Sequence, residues 1–233
     1  MRIRDQLYSG DPFEGLDLSE VEPDSQGWGS DHPVLREFIE KLRPTTIAEI
    51  GVWKGRCVLN MVKYCRDLNL HTEVICIDTW LGSPEHWLRR DNRNFYDSLK
   101  IKHGLPQIYW TFMRNVVEEN AQKFITPMPM PSGVAFYVLK HLNVSLDMVH
   151  VDAGHEYESV SGDLRRYWSL LRPGGVLIGD DYVTGWPEVV RAADEFSCLV
   201  GRPLMVHGTK YLVEKAAEFQ EPDEGLVKAV SRP

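Results

Sequence analysis

Short apolar runs alternate with segments of helical periodicity along most of this chain. The clearest case extends from Asp147 to Tyr182, where apolar runs over 148–151 and 175–178 enclose a helix-length segment. Within that segment, apolar residues recur at the spacing of one helix face, at Val160, Leu164, Trp168 and Leu171. The pattern predicts a strand, a helix and a second strand, most simply a parallel pair joined by a right-handed crossover.

The same alternation continues on both sides of this unit. A helix is predicted from Asp31, with Ser30 or Asp31 as its N-cap and Pro44 as its stop. Further helices are predicted over 57–65, 109–124 and 134–142 and from Pro187 onward. Further strands are predicted over 45–50, 73–77 and 126–130, with a closing hairpin over 204–207 and 210–213. Strands that alternate with helices indicate an α/β fold on a mostly parallel sheet.

Three acidic residues end the apolar runs of the central unit. Asp152 ends one run, and Asp180 and Asp181 end the other. Because parallel strands end at one edge of a sheet, where ligands bind, these carboxylates should meet there. Carboxylates held together repel one another unless a cation is present, and Mg²⁺ prefers oxygen ligands. The residues therefore predict a Mg²⁺ site. In the alternative, Asp152 only caps the next helix and the other two are solvated loop residues.

His155 lies three residues beyond Asp152 and is predicted near the same edge. The unperturbed pKa of histidine, about 6.5, suits a general base at neutral pH. A purely structural histidine is the alternative, because the catalytic role rests on the spacing from Asp152.

Composition narrows the range of functions. The chain has 233 residues, 43% hydrophobic content and a net charge of −8, which allows one sizeable α/β core and argues against nucleic-acid binding. The four cysteines, at 57, 65, 76 and 198, form no CxxC pair and are predicted to be buried free thiols of a reducing compartment. No signal-like start and no membrane-length apolar stretch are evident, so we expect a cytoplasmic protein without membrane contact.

Three segments fall outside the alternation. Residues 1–30 are predicted to be an arm or lid on a domain over 31–215, and residues 216–233 a charged tail. Trp28, which stands between two glycines, could cap a ligand pocket or only anchor the arm. Residues 83–108 mix aromatic and charged side chains and are long for a connection, so they are predicted to be a substrate-facing insertion, with solvated surface as the alternative.

A turn with two glycines follows the strand over 45–50. Gly51 and Gly55 would let a ligand approach the backbone, but the pattern E-x-G-x-x-x-G, which begins at Glu49, is not the G-x-G-x-x-G of dinucleotide folds. Asp78 ends the next strand, where a carboxylate can accept both hydroxyls of a ribose. Together these residues imply a nucleoside-containing cofactor, unless Asp78 is an ordinary acid at a strand end.

With these residues identified, the chain resembles the class I S-adenosylmethionine-dependent methyltransferases over roughly residues 26–213. The resemblance rests on the terminal hairpin and on the segments AEIGVWKG (48–55), ICIDTWLG (75–82), DMVHVDAGHEY (147–157) and LLRPGGVLIGDDY (170–182). More narrowly, it is similar to the metal-dependent O-methyltransferases that include the macrolide-sugar methyltransferases, the cephalosporin hydroxylase-like proteins and, more distantly, catechol O-methyltransferase. It implies a Rossmann-like, doubly wound, mostly parallel seven-stranded sheet with helices on both faces and an antiparallel C-terminal hairpin strand.

The resemblance also implies roles for individual residues. The implied contacts to the cofactor, S-adenosylmethionine, are Glu49, Gly51, Asp78, Thr79, Trp80, Ser132, Gly133 and Asp152. The implied metal ligands are Asp152, Asp180 and Asp181. His155 falls where a sugar methyltransferase relative carries a histidine base. The catechol group usually ends its metal triad in asparagine, so Asp181 argues against a catechol substrate.

The predicted reaction moves a methyl group from S-adenosylmethionine to a hydroxyl of a small molecule, such as a sugar or secondary metabolite, with Mg²⁺ on that hydroxyl and His155 as base. A nicotinamide-dependent oxidoreductase and a non-catalytic cofactor-binding protein are the alternatives. The missing G-x-G-x-x-G argues against the first, and the acids with His155 argue against the second. A homo-oligomer, in which the N-terminal arm packs on a neighbouring subunit, stays open.

Overall fold

A computed structural model of the chain describes residues 2–88 and 93–217, with only the backbone of residues 93 and 94. Residues 89–92 of the predicted insertion and 218–233 of the predicted tail lie outside the described residues. The described helices are α1 (Ile3–Leu7), α2 (Pro33–Leu42), α3 (Arg56–Asp67), α4 (Pro84–Leu88), α5 (Arg93–Ser98), α6 (Ile108–Glu118), α7 (Ser132–His141), α8 (Tyr157–Leu170) and α9 (Pro187–Val200). The described strands are β1 (Thr46–Ile50), β2 (Glu73–Asp78), β3 (Ile125–Pro129), β4 (Leu146–Val151), β5 (Leu171–Gly179), β6 (Met205–His207) and β7 (Lys210–Glu214).

The seven described strands form one sheet in the order β3-β2-β1-β4-β5-β7-β6. All neighbours are parallel, except that β7 runs antiparallel to β5 and β6. Alternate strand residues pack into two cores: Ile47 packs with α2, α3 and α6, and Ala48 with α7, α8 and α9. Because helices cover both faces, β4 is buried along its whole length, including its two polar residues, Asp147 and His150. The sheet confirms the predicted Rossmann-like fold.

Most predicted boundaries hold to within a few residues, but two are wrong. The helix predicted to reach Phe124 ends at Glu118. Asn120 adopts a left-handed conformation there (φ 53°), and the N–H groups of Asn120 and Ala121 bond back to carbonyls of the last helical turn. Leu171, predicted on a helix face, is the first residue of β5, which follows α8 without a loop.

The N-cap of α2 also differs from the prediction. His32 caps the helix instead of Ser30 or Asp31, and its Nδ1 accepts a hydrogen bond of 3.3 Å from the N–H of Val34. Imidazole acceptors are not among the preferred N-caps, so the sequence rule favoured the neighbouring serine and aspartate.

Several contacts fasten the N-terminal segment along the domain, among them two that involve carboxylates. At the first, Glu73 accepts hydrogen bonds from the N–H groups of Ile3 (3.0 Å) and Arg4 (2.9 Å), which a short helix leaves unpaired. At the second, the ammonium of Lys54, only 2% exposed, lies 2.6 Å from the carboxylate of Asp24. The second attachment places residues just after Asp24 beside the turn that contains Lys54.

The described cysteines are unpaired, but the prediction that all four are buried is wrong. Cys57, Cys65 and Cys76 are buried, whereas Cys198 is exposed. Cys198 lies two positions after the core-facing Phe196 on α9, which turns it away from the sheet.

The helices of the described residues are all too short or too polar to cross a membrane. The longest, α8 and α9, have 14 residues each, whereas a span needs about 20.

Candidate active site

A cavity of about 650 Å³ opens at the carboxyl ends of β1, β2, β4 and β5. It is lined by Gly51 after β1, Asp78 at the end of β2, Asp152 after β4, and Asp180 and Asp181 after β5. Parallel strands deliver all of these residues to the same edge. The structure therefore brings together the strand-end residues that the sequence singled out.

Gly51 allows β1 and β4 to end side by side. Its φ is +85°, and a Cβ at this position would lie 1.9 Å from the carbonyl oxygen of Asp152. The N–H of Gly51 bonds to the carbonyl of Ile77 (2.9 Å), and the N–H of Asp152 bonds to that of Ile50 (2.8 Å). No side chain fits between the two strand ends, so the backbone itself forms this part of the cavity wall.

Asp78 holds the glycine turn through its carboxylate. Oδ2 accepts hydrogen bonds from the N–H groups of Val52 and Trp53, each 2.8 Å, and Oδ1 accepts one from Trp80 at 2.7 Å. Burial raises the pKa of Asp78, although these bonds favour its charged form. A carboxylate has about four acceptor positions, so roughly one is left for a ligand hydroxyl.

Thr79 lines the cavity, but Trp80 does not. Trp80 is only 2% exposed, and its indole N–H donates to the carbonyl of Trp53 at 2.7 Å. Its ring stacks on Phe112 with the centroids 4.9 Å apart. The Trp80 side chain therefore belongs to the core and not to the cavity wall, and its implied contact with a cofactor stays a prediction.

On the opposite side, Ser132 lines the cavity and Gly133 does not. The hydroxyl of Ser132 donates to Oδ1 of Asp163 at 2.7 Å, and the hydroxyl of Tyr167 donates to the Ser132 carbonyl at 2.9 Å. Asp163 of α8 also lines the cavity, and burial raises its pKa. The sequence did not predict Asp163 at the site.

Glu49 is 1% exposed and lines the cavity at the end of β1. Its Oε1 lies 3.2 Å from Nδ1 of His150 on β4, while its Oε2 has no hydrogen-bond partner in the described part of the chain. Burial raises the pKa of Glu49 well above its usual value, and the charge of Asp152 adds to this effect. A buried polar atom without a partner calls for an explanation, and a donor on a bound ligand would provide one.

The polar contacts continue from His150 across the sheet. Lys210, the first residue of β7, is 1% exposed, and its Nζ lies 3.0 Å from Nε2 of His150 and 2.5 Å from Oδ2 of Asp180. The other oxygen of Asp180 accepts from the hydroxyl of Thr209 at 3.0 Å. Glu49, His150, Lys210 and Asp180 thus form a continuous buried chain, which we call the polar row.

Of the three predicted metal ligands, Asp152 and Asp180 lie close together, whereas Asp181 bonds to a different partner. Ligand atoms of His150, Asp152 and Asp180 all lie within 4.8 Å of one another. Burial raises the pKa of Asp152 to about 7, and the charge of Asp180 contributes. Such crowding of carboxylates favours a cation. Asp181 lines the same cavity, but its carboxylate bonds to His155.

His155 bridges the sheet edge and the insertion. Its Nε2 lies 3.0 Å from the carboxylate of Asp181, and its Nδ1 lies 2.8 Å from that of Glu85 in α4. The ring stacks on Trp186, with centroids 3.9 Å apart. Burial by itself lowers the pKa of His155, but the hydrogen bonds and charges of Asp181 and Glu85 outweigh it and raise the pKa to about 9. In this arrangement the ring carries its proton at neutral pH.

Both irregular segments contribute to the cavity wall. Residues 26–30 of the arm, residues 82–86 and Phe95 line it. Trp28 is 57% exposed, stacks on Phe95 with centroids 5.8 Å apart, and lies 6.1 Å from Trp53. Of the two alternatives for Trp28, the structure places it at the cavity.

The side chains with direct contacts at the site that were missed from the sequence include Glu85, His150, Asp163, Trp186 and Lys210. Two of them carried a usable signal, because His150 interrupts an apolar run and Lys210 begins one. A polar residue inside a strand that is buried on both faces needs a polar partner. Glu85 and Trp186 gave no such signal, since their contacts join segments far apart in the chain.

Comparisons with known proteins agree with this geometry. A family model described as a methyltransferase domain matches residues 48–182, which is more than half of the chain. Among solved structures, the O-methyltransferase NovP has a TM-score of 0.59 at 17% identity, with 79% of this chain and 78% of that chain covered. No curated protein matches the chain in a sequence comparison.

Two further solved structures cover more of the chain. The O-methyltransferase from Bacillus cereus, in complex with SAH, has a TM-score of 0.56 at 16% identity and covers 91% of this chain and 96% of that chain. The O-methyltransferase TomG from Streptomyces achromogenes, involved in tomaymycin synthesis and in complex with SAM, has a TM-score of 0.54 at 15% identity and covers 94% and 100%. At these identities the likeness concerns the fold, and the family model, whose match includes the glycine turn and all the strand-end acids, identifies the chain as a member of the methyltransferase-domain family.

Proposed function

We propose that this methyltransferase moves a methyl group from S-adenosylmethionine to a hydroxyl group of a small molecule. The observation that carries the proposal is the single cavity in which Gly51 and the unpartnered oxygen of Glu49 lie beside the strand-end acids and His155. A surface suited to the cofactor and a group suited to proton transfer therefore share one cavity. The solved structures with SAH and SAM support the choice of cofactor.

The residues at the end of β1 and β2 fit S-adenosylmethionine. The free oxygen of Glu49 suits the ammonium of its methionine part, and the remaining acceptor position of Asp78 suits one ribose hydroxyl. Gly51 leaves the backbone open for close approach. Ser132 and Asp163 are placed to contact the far side of the ligand.

The acids fit a divalent cation. Asp152 and Asp180 crowd each other, and Asp181 faces the same cavity, so these three residues would hold Mg²⁺. When bound, S-adenosylmethionine supplies an electrophilic methyl group, and Mg²⁺ supplies a Lewis acid that lowers the pKa of the substrate hydroxyl.

His155 would take the proton of the substrate hydroxyl. Both of its nitrogens are paired with carboxylates and the ring is protonated in this arrangement, so the ring must lose one pairing together with one proton before it can accept the proton of the substrate. Nε2, which faces Asp181, is the nitrogen that would act as the base, while Glu85 and the stacked Trp186 would keep the ring in place. Most of the remaining rate gain would come from holding the two reactants in line.

The aromatic wall supports a substrate with a ring. Trp28, Trp53, Phe95 and Trp186 line the cavity. Such a wall packs against the flat or apolar face of a ring, and the polar groups at the strand ends serve its hydroxyls. This suits a sugar or another secondary metabolite that carries hydroxyl groups.

The test is a screen of hydroxylated small molecules with labelled S-adenosylmethionine, with and without Mg²⁺. We expect label in the product and faster transfer with Mg²⁺. Calorimetry should show binding of S-adenosylhomocysteine and none of NAD. Binding of NAD alone would replace the proposal with an oxidoreductase, and cofactor binding without transfer to any acceptor would favour a non-catalytic protein.

Replacement of His155 by alanine tests the base. We expect kcat to fall by about 10²- to 10⁴-fold, with little change in the affinity for S-adenosylhomocysteine, because His155 contacts acids and not the glycine turn. His141→Ala, at an exposed position of α7, is the control and should keep full activity. Unchanged turnover in the His155 variant would remove this residue from the mechanism.

A further inference from the structure

Lys210 lies directly behind the proposed metal ligands and has almost no contact with solvent. Its side chain is 1% exposed, and its ammonium bonds to Asp180 at 2.5 Å and to His150 at 3.0 Å. It cannot touch a substrate from there, so any effect on the reaction must pass through these two partners.

The contacts of Lys210 fix where the protons of the polar row lie. An ammonium can only donate, so Nε2 of His150 accepts, and the ring proton is on Nδ1, which faces Oε1 of Glu49 at 3.2 Å. His150 is therefore neutral. The row contains one fixed positive charge, and Lys210 carries it.

That charge is paired with a carboxylate that a metal would use. Oδ1 of Asp180 accepts from the hydroxyl of Thr209 and from the N–H of Asp181, while Oδ2 accepts from Lys210. A divalent ion that binds Asp180 must share an oxygen with one of these donors or displace it. In either case it meets the repulsion of a nearby ammonium that solvent does not screen.

We infer that Lys210 is a built-in counter-cation of Asp180, which competes with the divalent ion and so sets the metal concentration at which the site fills. The inference rests on one element of the proposed function, namely that Asp180 helps to hold a divalent cation. Lys210 is a positioning residue in this role, because it acts through Asp180.

The direct test compares Mn²⁺ affinities, measured from the electron paramagnetic resonance signal of the free ion. Lys210→Met removes the charge and keeps the length of the side chain, and we expect the affinity to rise by about tenfold or more. Lys215→Met is the matched control: this ammonium bonds to the carbonyls of Trp168 and Leu171, and its loss should leave the affinity unchanged. Equal or weaker Mn²⁺ binding in the folded Lys210 variant overturns the inference.

A second measurement needs no variant, since methionine removes the Lys210 partner from Oδ2 of Asp180 and Nε2 of His150 and could prevent folding. The buried ammonium of Lys210 should exchange its protons slowly and give a resolved ¹H–¹⁵N signal. We expect this signal to shift as Mg²⁺ is added to the wild-type protein. Mg²⁺ binding that leaves the signal in place overturns the inference.

The two proposals can fail separately. If the Lys210→Met variant binds Mn²⁺ and the wild type does not, the inference is supported. If the wild type also transfers methyl groups without metal, the proposed role of Mg²⁺ in the reaction is overturned. Mn²⁺ binding by neither protein overturns the inference, whereas methyl transfer with labelled cofactor would still establish the activity.

Discussion

At the end of β1, the absence of one side chain decides how close two strands come. Gly51 has a backbone conformation that L-residues rarely adopt, and its missing Cβ is the space that the Asp152 carbonyl occupies. The same closeness sets the distance between the glycine turn and the acid after β4. A single position therefore links the side of the cavity proposed for the cofactor to the side that carries the acids.

Gly51→Ala should weaken S-adenosylhomocysteine binding by about tenfold or more, because the positive φ costs about 1–3 kcal/mol and the added methyl forces the strand ends apart. Gly185→Ala is the control, since a Cβ there meets nothing within 4 Å. Titration calorimetry measures both affinities, and circular dichroism checks that both variants fold. An alanine variant at position 51 that binds as tightly as the wild type contradicts the role given to this turn.

At the residue scale, the sequence predicted the side chains that end strands and missed those that reach the site from elsewhere. Asp152, Asp180 and Asp181 follow from the rule that parallel strands end together. Trp80 was implied by the resemblance alone, and its ring turns into the core, a direction that the sequence does not specify. Glu85 could not be predicted, since its contact with His155 depends on how the insertion folds over the sheet.

At the element scale, Asp147 ties together the starts of three neighbouring strands. Oδ2 accepts from the N–H groups of Thr45 (2.7 Å) and Thr46 (2.9 Å) beside β1, and Oδ1 accepts from Arg172 of β5. Burial by itself raises the pKa of Asp147, but the hydrogen bonds from Arg172, Thr46 and Thr45 outweigh it and hold the pKa below its usual value. The carboxylate therefore stabilises the fold in its charged form.

Asp147→Ala should lower the free energy of unfolding at pH 7 by about 2–3 kcal/mol, because it leaves donors beside the sheet unpaired. Since the folded-state pKa is depressed, this stabilisation is fully present above the unfolded pKa of about 4 and is lost as the pH falls through the folded value. Urea unfolding should show a constant difference between pH 7 and about pH 5 and a smaller one below about pH 4. Asp67→Ala, in an exposed pair with Lys63, should change stability by less than about 1 kcal/mol.

The strands and most helices could be predicted because their burial repeats with a fixed period. β4 and the core of α3 stand where the apolar pattern put them. The short helix α1 could not be predicted, since five residues give no period and its first turn is held by Glu73 from β2. The end of α6 could not be predicted because Asn120 adopts the left-handed conformation that follows the helix, a role in which asparagine is less common than glycine.

On the scale of the whole molecule, a buried asparagine helps to attach the N-terminal arm beside the cavity. Asn115 of α6 is 3% exposed; its Oδ1 accepts from the N–H of Asp24 at 3.0 Å, and its Nδ2 donates to the carbonyls of Asp24 and Lys54 at 2.8 Å each. It thus joins the arm, the glycine turn and a core helix. Residues 26–30, which follow Asp24, line the cavity, so the arm and the turn should act on the cofactor together.

The single substitution Asn115→Ala should therefore both loosen the N-terminal arm and weaken cofactor binding. Three backbone groups lose their partner, so we expect unfolding stability to fall by about 2–4 kcal/mol. Proteolysis should become faster within residues 2–30, and S-adenosylhomocysteine affinity should drop by several-fold.

Thr111→Val is the control: Thr111 is equally buried one turn earlier on α6, but its hydroxyl bonds only within the helix, to the Gln107 carbonyl at 3.4 Å. If Asn115→Ala loses stability but keeps both the wild-type proteolysis pattern and the cofactor affinity, the arm is not part of the binding site and the cavity is complete without it.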